Sequence, residues 1–510
     1  MTTKITSLQI ALTNVGTGAT NYTDSNSALG LNALESVGPI PVSGPNAQNN
    51  TAFGYQAAKE TTLGYKVTAI GAGALADGVT NSTCTAIGYG AMNNLTTGDN
   101  NVSVGSESMF VGVTNYSSVA MGQGAMYAAN GGTGNVAIGL DSMGTGPVGG
   151  FPPVSWTIGD YNTAVGYNSL TSCGASDLNT AIGATAAASM TAGEENTVVG
   201  ANAASVCISL TQCVAVGADA MKGTSNAVST ASVAVGYRAM YSITSTAANN
   251  NTSLGAYSMY THIQGDQNVA IGSGAMYGDT AATPSSGSDN VIVGFQAAYS
   301  ITSGSNNVAI GTDALGGGNA SNHTIVGYQA GADIGNSSTG NVLLGYKAGT
   351  TISSGDDNIL IGRDTVVSAI TVNTEIVVGS GLTGKGTNTA FIGGTSGAYN
   401  GANVTTWATT SDARIKKNVA PISNGLEVVM ALESVKFDYK ETDAHDVGFI
   451  AQQYMTVLPE QVSTHVANKA QKELVGGDEV LRIQQNLVPY LVNAIQQLKA
   501  EFDAYKLAHP

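Results

Sequence analysis

Between Asn26 and Gly394 the chain spells variants of Asn-(Thr/Val)-Ala-(Ile/Val)-Gly 21 times, and twelve of the twenty intervals between the motif glycines, Gly30 to Gly393, are 17 residues. A period of that length marks a repeat architecture, in which each unit buries its faces against its neighbours and a continuous core grows along one axis. Most departures from 17 are longer, as expected for insertions in loops between coils. The largest carries Gly-Pro-Val-Gly-Gly-Phe-Pro-Pro ahead of Trp156 and is too rich in Gly and Pro to be a strand.

The residue before the glycine is apolar in all 21 copies, from Leu29 and Phe53 through Ile138 and Val235 to Val378 and Ile392, and is expected to face a core. The residue before that is small in most copies (Ala52, Ala69, Ser103, Ala137, Ala270), and strand alternation puts it on the opposite face, where a neighbouring chain is the simplest cover. Ile292, Ile325, Leu343 and Leu360 occupy this position in later copies, which predicts a change of packing toward the C-terminal end. Short strands, a Gly turn and then Ala33-Leu34, Ala91-Met92, Ala125-Met126 or Ala314-Leu315 suit a parallel β-roll with one coil per repeat. At ~4.8 Å per coil the stack is on the order of 100 Å long. The Gly, Thr, Asn and Val content disfavours helix throughout.

Only 10% of residues are charged, and the first 410 residues hold 8 Lys or Arg against 21 Asp or Glu. The resulting net charge near -13 argues against nucleic acid as a partner. Cys84, Cys173, Cys207 and Cys213 have no metal-ligand spacing; Cys84 and Cys213 replace the repeat Asn, as does His323, and all are expected to be structural. No metal and no cofactor are expected. Tyrosines after the glycine (Tyr55, Tyr89, Tyr167, Tyr237, Tyr328, Tyr346) have two readings: a sugar-binding aromatic ladder, or turn residues stacked on their neighbours, the second being favoured. Asp141, Asp219 and Asp313 are scattered at turns, whereas a polysaccharide hydrolase needs paired carboxylates. The N-terminal segment lacks the apolar run of a secretory signal and no segment reaches transmembrane length, so assembly in the cytosol without membrane insertion is expected.

The repeats resemble the heads of trimeric autotransporter adhesins, which implies a left-handed parallel β-roll in a trimer. The last hundred residues abandon the pattern. Ser411-Asp412-Ala413-Arg414-Ile415-Lys416-Lys417-Asn418, then Asp446-Val447-Gly448-Phe449-Ile450-Ala451-Gln452 and Leu458-Pro459-Glu460, resemble the endosialidase-type intramolecular chaperone domain of bacteriophage tailspikes and tail fibres. Gln453 stands where relatives usually carry Glu. The resemblance implies a domain that trimerises, guides three chains into a β-structure and then cuts itself off at Thr410-Ser411. Ser411 would be the nucleophile and Lys416 the base, since a hydroxyl attacks a carbonyl only when a neighbour takes its proton and a lysine neutralised by burial can do so. Asp412, Arg414 and His445 are weaker candidates for positioning roles.

A strand is predicted around Val435–Lys440. Heptad spacing at Leu481, Val488, Leu491, Ile495, Leu498, Phe502 and Tyr505 predicts a helix that self-associates in a trimeric coiled coil, with Pro489 tolerated in its first turn; a helix packed on its own domain is the alternative. The expected organisation is therefore mainly β: an attachment segment (1–25), a homotrimeric β-roll or β-solenoid shaft (26–395), a linker (396–410) and a small α+β chaperone domain (411–510). Together the resemblances imply a virion fibre, assembled in the host cytoplasm, that adsorbs to a bacterial host. Its implied partners are itself, a tail or baseplate protein, and a surface receptor of which a glycan is one class. The rival readings are an enzymatic tailspike that degrades polysaccharide and a bacterial trimeric adhesin; the adhesin would require a secretory signal.

Overall fold

In the computed structural model each repeat contributes one three-residue strand, and these strands lie in a single 22-stranded sheet. Pairing is parallel and in register from coil to coil, so that Ala69 lies beside Ala86 and Ala86 beside Ser103. The last pair, Ala390–Ile392 with Ala398–Asn400, is antiparallel and ends the stack. The structure describes residues 26–36, 48–144, 156–223, 227–243, 248–261, 264–278, 286–317, 319–393, 398–400, 413, 416–438, 440, 445–466, 472, 479–484 and 486–509. Two compact units emerge, Met1–Thr410 and Ser411–Pro510. The attachment segment and the linker expected from the sequence lie outside the described residues or nearly so.

The motif glycine follows each strand for a steric reason. Gly88 has φ +137°, and a Cβ placed there would lie 2.3 Å from the carbonyl oxygen of Gly105 in the next coil. The motif asparagine forms a ladder inside the roll. Val67 N–H donates to Asn50 Oδ1 (2.9 Å), Asn179 N–H to Asn162 Oδ1 (2.9 Å) and Asn358 N–H to Asn341 Oδ1 (2.9 Å). Each amide also donates across its coil, as Asn341 Nδ2 does to the Gly355 carbonyl (2.8 Å). These buried polar groups thus complete one another, and a missing rung would leave a donor without water or partner.

Among the rungs that are not asparagine are Glu375 and His323. Glu375 is fully buried, and its carboxylate accepts from Ser368 N–H (2.9 Å) and Gly386 N–H (2.6 Å) at the C-terminal end of the ladder. His323 accepts Asn341 N–H at Nδ1 (3.0 Å) and meets Ser338 Oγ through Nε2 (3.3 Å). Burial pushes its pKa down to about 4. The four cysteines are free and buried, and burial pushes Cys84 up to about 11 and Cys173 up to about 12, as suits inert coil thiols.

The faces of the strand are the reverse of the sequence expectation. The small residue two before the glycine points into the roll: Ala69, Ala86, Ser103, Ala137 and Ala234 are all fully buried. The apolar residue beside the glycine points outward, and Leu29, Phe53, Ile70, Met121, Ile138, Ile182, Leu254 and Ile361 are 37–45% exposed. The reason is volume. The interior is filled from the opposite wall by the residue four after the glycine, such as Leu75, Met92, Met126, Leu170 and Met221, all fully buried. In three coils where the strand carries a large residue inside, that wall carries a small one. Ile292 goes with Ala298, Ile325 with Gly331 and Leu343 with Gly349; a Cβ on Gly331 would lie 2.9 Å from Ile325 Cδ1, and one on Gly349 2.7 Å from Leu343 Cδ2. The expected change of packing toward the C-terminal end is therefore an exchange of volume across one coil at constant width.

That exchange makes a double-substitution test. Leu343→Ala alone should cost about 2–5 kcal/mol. Gly349→Met alone should overpack the coil and cost about 1–3 kcal/mol. Together they recreate the Ala86/Met92 layer, whose methionine has φ +56° against +67° at Gly349, so the double variant should recover much of the loss. Thermal midpoints check this, and strictly additive losses would contradict it. His323 makes a second test. Its folded pKa of about 4 lies below the ordinary 6.5, so the unfolded chain takes up the proton first. The stability contribution is intact above ~6.5 and is lost as pH falls toward ~4, by at most about 3 kcal/mol. His323→Asn should flatten the wild-type decline in thermal midpoint between these pH values, and an unchanged slope would place the acid sensitivity elsewhere.

Candidate chaperone and cleavage site

The C-terminal unit is built around a small core of Val428, Tyr454 and Leu458, against which Leu432, Phe449, Val462, Ile483 and Tyr490 pack. Helix α1 (Gly425–Ala431) follows Ser423-Asn424, α2 (Ala451–Val457) carries the Ala-Gln end of the Gly-Phe-Ile-Ala-Gln motif, and α3 (Val488–Ala508) is the long terminal helix. Two antiparallel pairs complete the described part: Val435–Asp438 with His445–Gly448, and Val462–Val466 with Glu479–Ile483. The motif works structurally, since Phe449 stands edge-on to Tyr454 at 5.4 Å and Tyr454 is 1% exposed. The Tyr454 hydroxyl donates to Gln461 Oε1 (3.1 Å).

Helices α1 and α3 meet closely. No side chain caps α1 from within; instead Gly425 N–H donates to Asn493 Oδ1 (2.7 Å) and Leu426 N–H to Gln497 Oε1 (2.8 Å), both from α3. These bonds satisfy donors that a helix start always leaves open. Gly425 allows the approach, because a Cβ there would lie 2.5 Å from the Tyr490 carbonyl oxygen.

The predicted seam divides. Val488, Leu491, Ile495, Leu498, Phe502 and Tyr505 fall on α3, and all are 43–68% exposed, away from the Tyr490, Asn493, Ala494 and Gln497 face that meets α1. Leu481 does not belong to the helix: it sits in a strand opposite Thr464. Pro489 sets the helix start, since its missing N–H and fixed φ suit the first turn, and the Val480, Leu481 and Ile483 run before it has strand character. The predicted strand near Val435–Lys440 is present as Val435–Asp438. Helix α1 and the second strand pair were not foreseen, although Ser-Asn ahead of Leu-Glu-Val-Val-Met-Ala is a helix-start signal.

Of the cleavage residues, Thr410, Ser411, Asp412 and Arg414 lie outside the described residues. Lys416 is exposed, and its backbone N–H donates to the Ala413 carbonyl (3.2 Å). His445 is paired with Asp438 across the first strand pair, and Gln453 reaches Glu433 Oε2 (3.4 Å).

Residues 411–463 match the family described as chaperone of endosialidase. No curated protein and no solved structure matches the chain. A β-solenoid followed by this domain fits the class of tail fibres and tailspikes that carry a C-terminal chaperone domain.

The α1–α3 contact can be tested directly. Gly425→Ala should force the helices apart and cost the C-terminal unit about 1–3 kcal/mol. Amide exchange across α1 should accelerate at least tenfold while the coils keep their protection; unchanged protection of α1 would show that the close approach is not required.

Proposed function

We propose that the chain is the subunit of a homotrimeric tail fibre, or of another virion-attached fibre, that adsorbs to a bacterial surface. The observation that carries this reading is the outward apolar column of pre-glycine residues, repeated coil after coil. Contiguous apolar surface of that extent is not left in water by a soluble monomer. A second copy of the same chain covers it with the same period, and three copies close around an axis without leaving an open face.

The C-terminal unit sets the register of that assembly. Its α3 stripe pairs with the stripes of two partners, and three chains held at one end bring equivalent coils level before the sheets form. Without such a clamp, a repeat of 17 residues pairs equally well one coil out of step, which invites misassembly. The N-terminal segment, residues 1–25, attaches to a tail or baseplate protein.

Cutting follows folding. The Ser411 hydroxyl oxygen attacks the Thr410 carbonyl carbon while the Lys416 amine takes the hydroxyl proton; the amide nitrogen leaves as the amine of Ser411, and water hydrolyses the resulting ester. Cutting is placed after trimerisation, because only the assembled clamp has finished its task when it is released. Once the clamp has gone, the shaft persists through its unfolding barrier.

Light scattering on the full chain should give three times the chain mass. Leu491→Asp with Ile495→Asp, which put charge into the seam, should yield insoluble or misassembled shaft and no cleavage. Wild type should release a fragment starting at Ser411, whereas Ser411→Ala and Lys416→Ala should each stay at full length as trimers. A monomer sinks the fibre reading, and wild type that never cuts removes the protease assignment alone.

A further inference from the structure

On four successive coils the residue five after the motif glycine is tyrosine: Tyr241, Tyr260, Tyr277 and Tyr299. Their rings stack along the roll with centroids 5.0, 4.9 and 4.6 Å apart and interplanar angles of 10–21°. A row stacked this tightly covers its own faces and shows its edges and hydroxyls, as Tyr328 and Tyr346 also do at 5.3 Å. Stacking alone therefore makes no sugar-binding ladder. The row becomes a site only where a second row beside it is interrupted.

That interruption is at Gly274. Two residues after the glycine, neighbouring coils carry Tyr257 and Gln296, but the coil between them carries Ser273-Gly274. The missing side chain opens a depression of about 430 Å³ with Gly274 as its floor, Tyr257 and Phe295 at its ends and Tyr260, Tyr277 and Tyr299 along one side. Its two ends stand on coils two apart, ~9–10 Å along the stack, the span of one sugar ring with van der Waals contact on both sides. Tyr257 is turned out of the stacked row, edge-on to Tyr237 at 90° and tilted 43° to Tyr277, and Phe295 is 52% exposed. Tyr257 is half-buried and also meets Tyr260 edge-on at 5.5 Å; aromatic faces are electron-rich and suit the electropositive C–H face of a pyranose, and the Gln296 amide lines the same depression.

The charge beside the depression is also specific. Arg238 lies over Tyr237 and Tyr241 (5.0 and 5.2 Å to the ring centroids) and Lys222 over Tyr241 (5.6 Å). Asp219 lies between them, 3.2 Å from Arg238 and 3.4 Å from Lys222, so two cations share one carboxylate and a positive charge remains. In a stretch holding only 8 Lys or Arg in 410 residues, Arg238 lining the notch, with Lys222 farther along the same tyrosine row, forms a local exception to an acidic surface.

We propose that the notch over Gly274 binds one unit of a carboxylate-bearing saccharide, with the sugar ring between Tyr257 and Phe295 and the carboxylate toward Arg238. The assignment of that saccharide to a bacterial surface rests on the fibre reading; the binding itself does not. The test uses the full-length protein with hyaluronan and alginate tetrasaccharides and their carboxyl-reduced forms, followed by saturation-transfer NMR and calorimetry. Acidic tetrasaccharide should bind at least tenfold more tightly than its reduced form. Gly274→Gln should abolish binding by filling the notch. It should also fold, since the equivalent Tyr257 and Gln296 have φ +58° and +52° and a Cβ at Gly274 meets nothing closer than 3.4 Å. Arg238→Gln should bind acidic and reduced forms alike. Absence of binding to every probe, or equal binding by Gly274→Gln with an unchanged thermal midpoint, would overturn the proposal. A trimer that binds none of these sugars defeats the notch alone, whereas a monomer that binds them defeats the fibre reading alone.

Discussion

In each coil the carbonyl oxygen of one motif glycine occupies the space where a side chain on the preceding motif glycine would be, and the rest of the shaft is arranged around that contact. The glycine lets one coil lie directly over the next at sheet spacing, with φ values near +135° that other residues rarely adopt. Stacked at that spacing, equivalent side chains fall in columns. The asparagine column can then complete its hydrogen bonds only by reaching the next coil, as Asn162 does with Asn179 and Asn341 with Asn358. Insertions such as the one between Gly139 and Gly166 leave the column undisturbed, because Asn162 N–H still finds Asn135 Oδ1 at 2.7 Å.

The same contact fixes the width of the interior, and width decides which residues go inside. Hydrophobicity alone favours Ile and Val for the core, and on that basis the strand was expected to turn its pre-glycine residue inward. Alternation establishes that neighbours face opposite ways but not which way is in. The deciding information is a correlation across the coil: Ala86 with Met92, Leu343 with Gly349. It is present in the sequence, but it is visible only once residues six apart are known to face each other. The parallel pairing of the coils and the structural role of His323 and the cysteines were legible because each depends on period and position alone.

In the C-terminal unit the motifs were more legible than the geometry. Phe449 and Tyr454 give the Gly-Phe-Ile-Ala-Gln segment a structural part, since they form one side of the small core. The heptad run was read one step too long: Leu481 fits the spacing, but the chain between it and Pro489 is a strand end. Spacing carries no information about where a helix begins, and the proline does. The tyrosine rows show a similar gap. Their stacking follows from the period, whereas the notch at Gly274 arises from one absent side chain in one coil.

The outward apolar column joins the two halves of the account, because the proposed assembly covers it together with the exposed apolar stripe of the C-terminal helix. The most direct measurement is therefore its accessibility in the assembled protein. Cysteine placed at Ile182 on the column, and separately at exposed Thr191 as a control, can be titrated with a thiol reagent while the buried native thiols stay silent. Coverage by partner chains predicts that the thiol of Ile182→Cys reacts at least tenfold more slowly than that of Thr191→Cys and becomes equally reactive on unfolding. Equal rates in the native protein would mean that the column faces water, which would contradict the account.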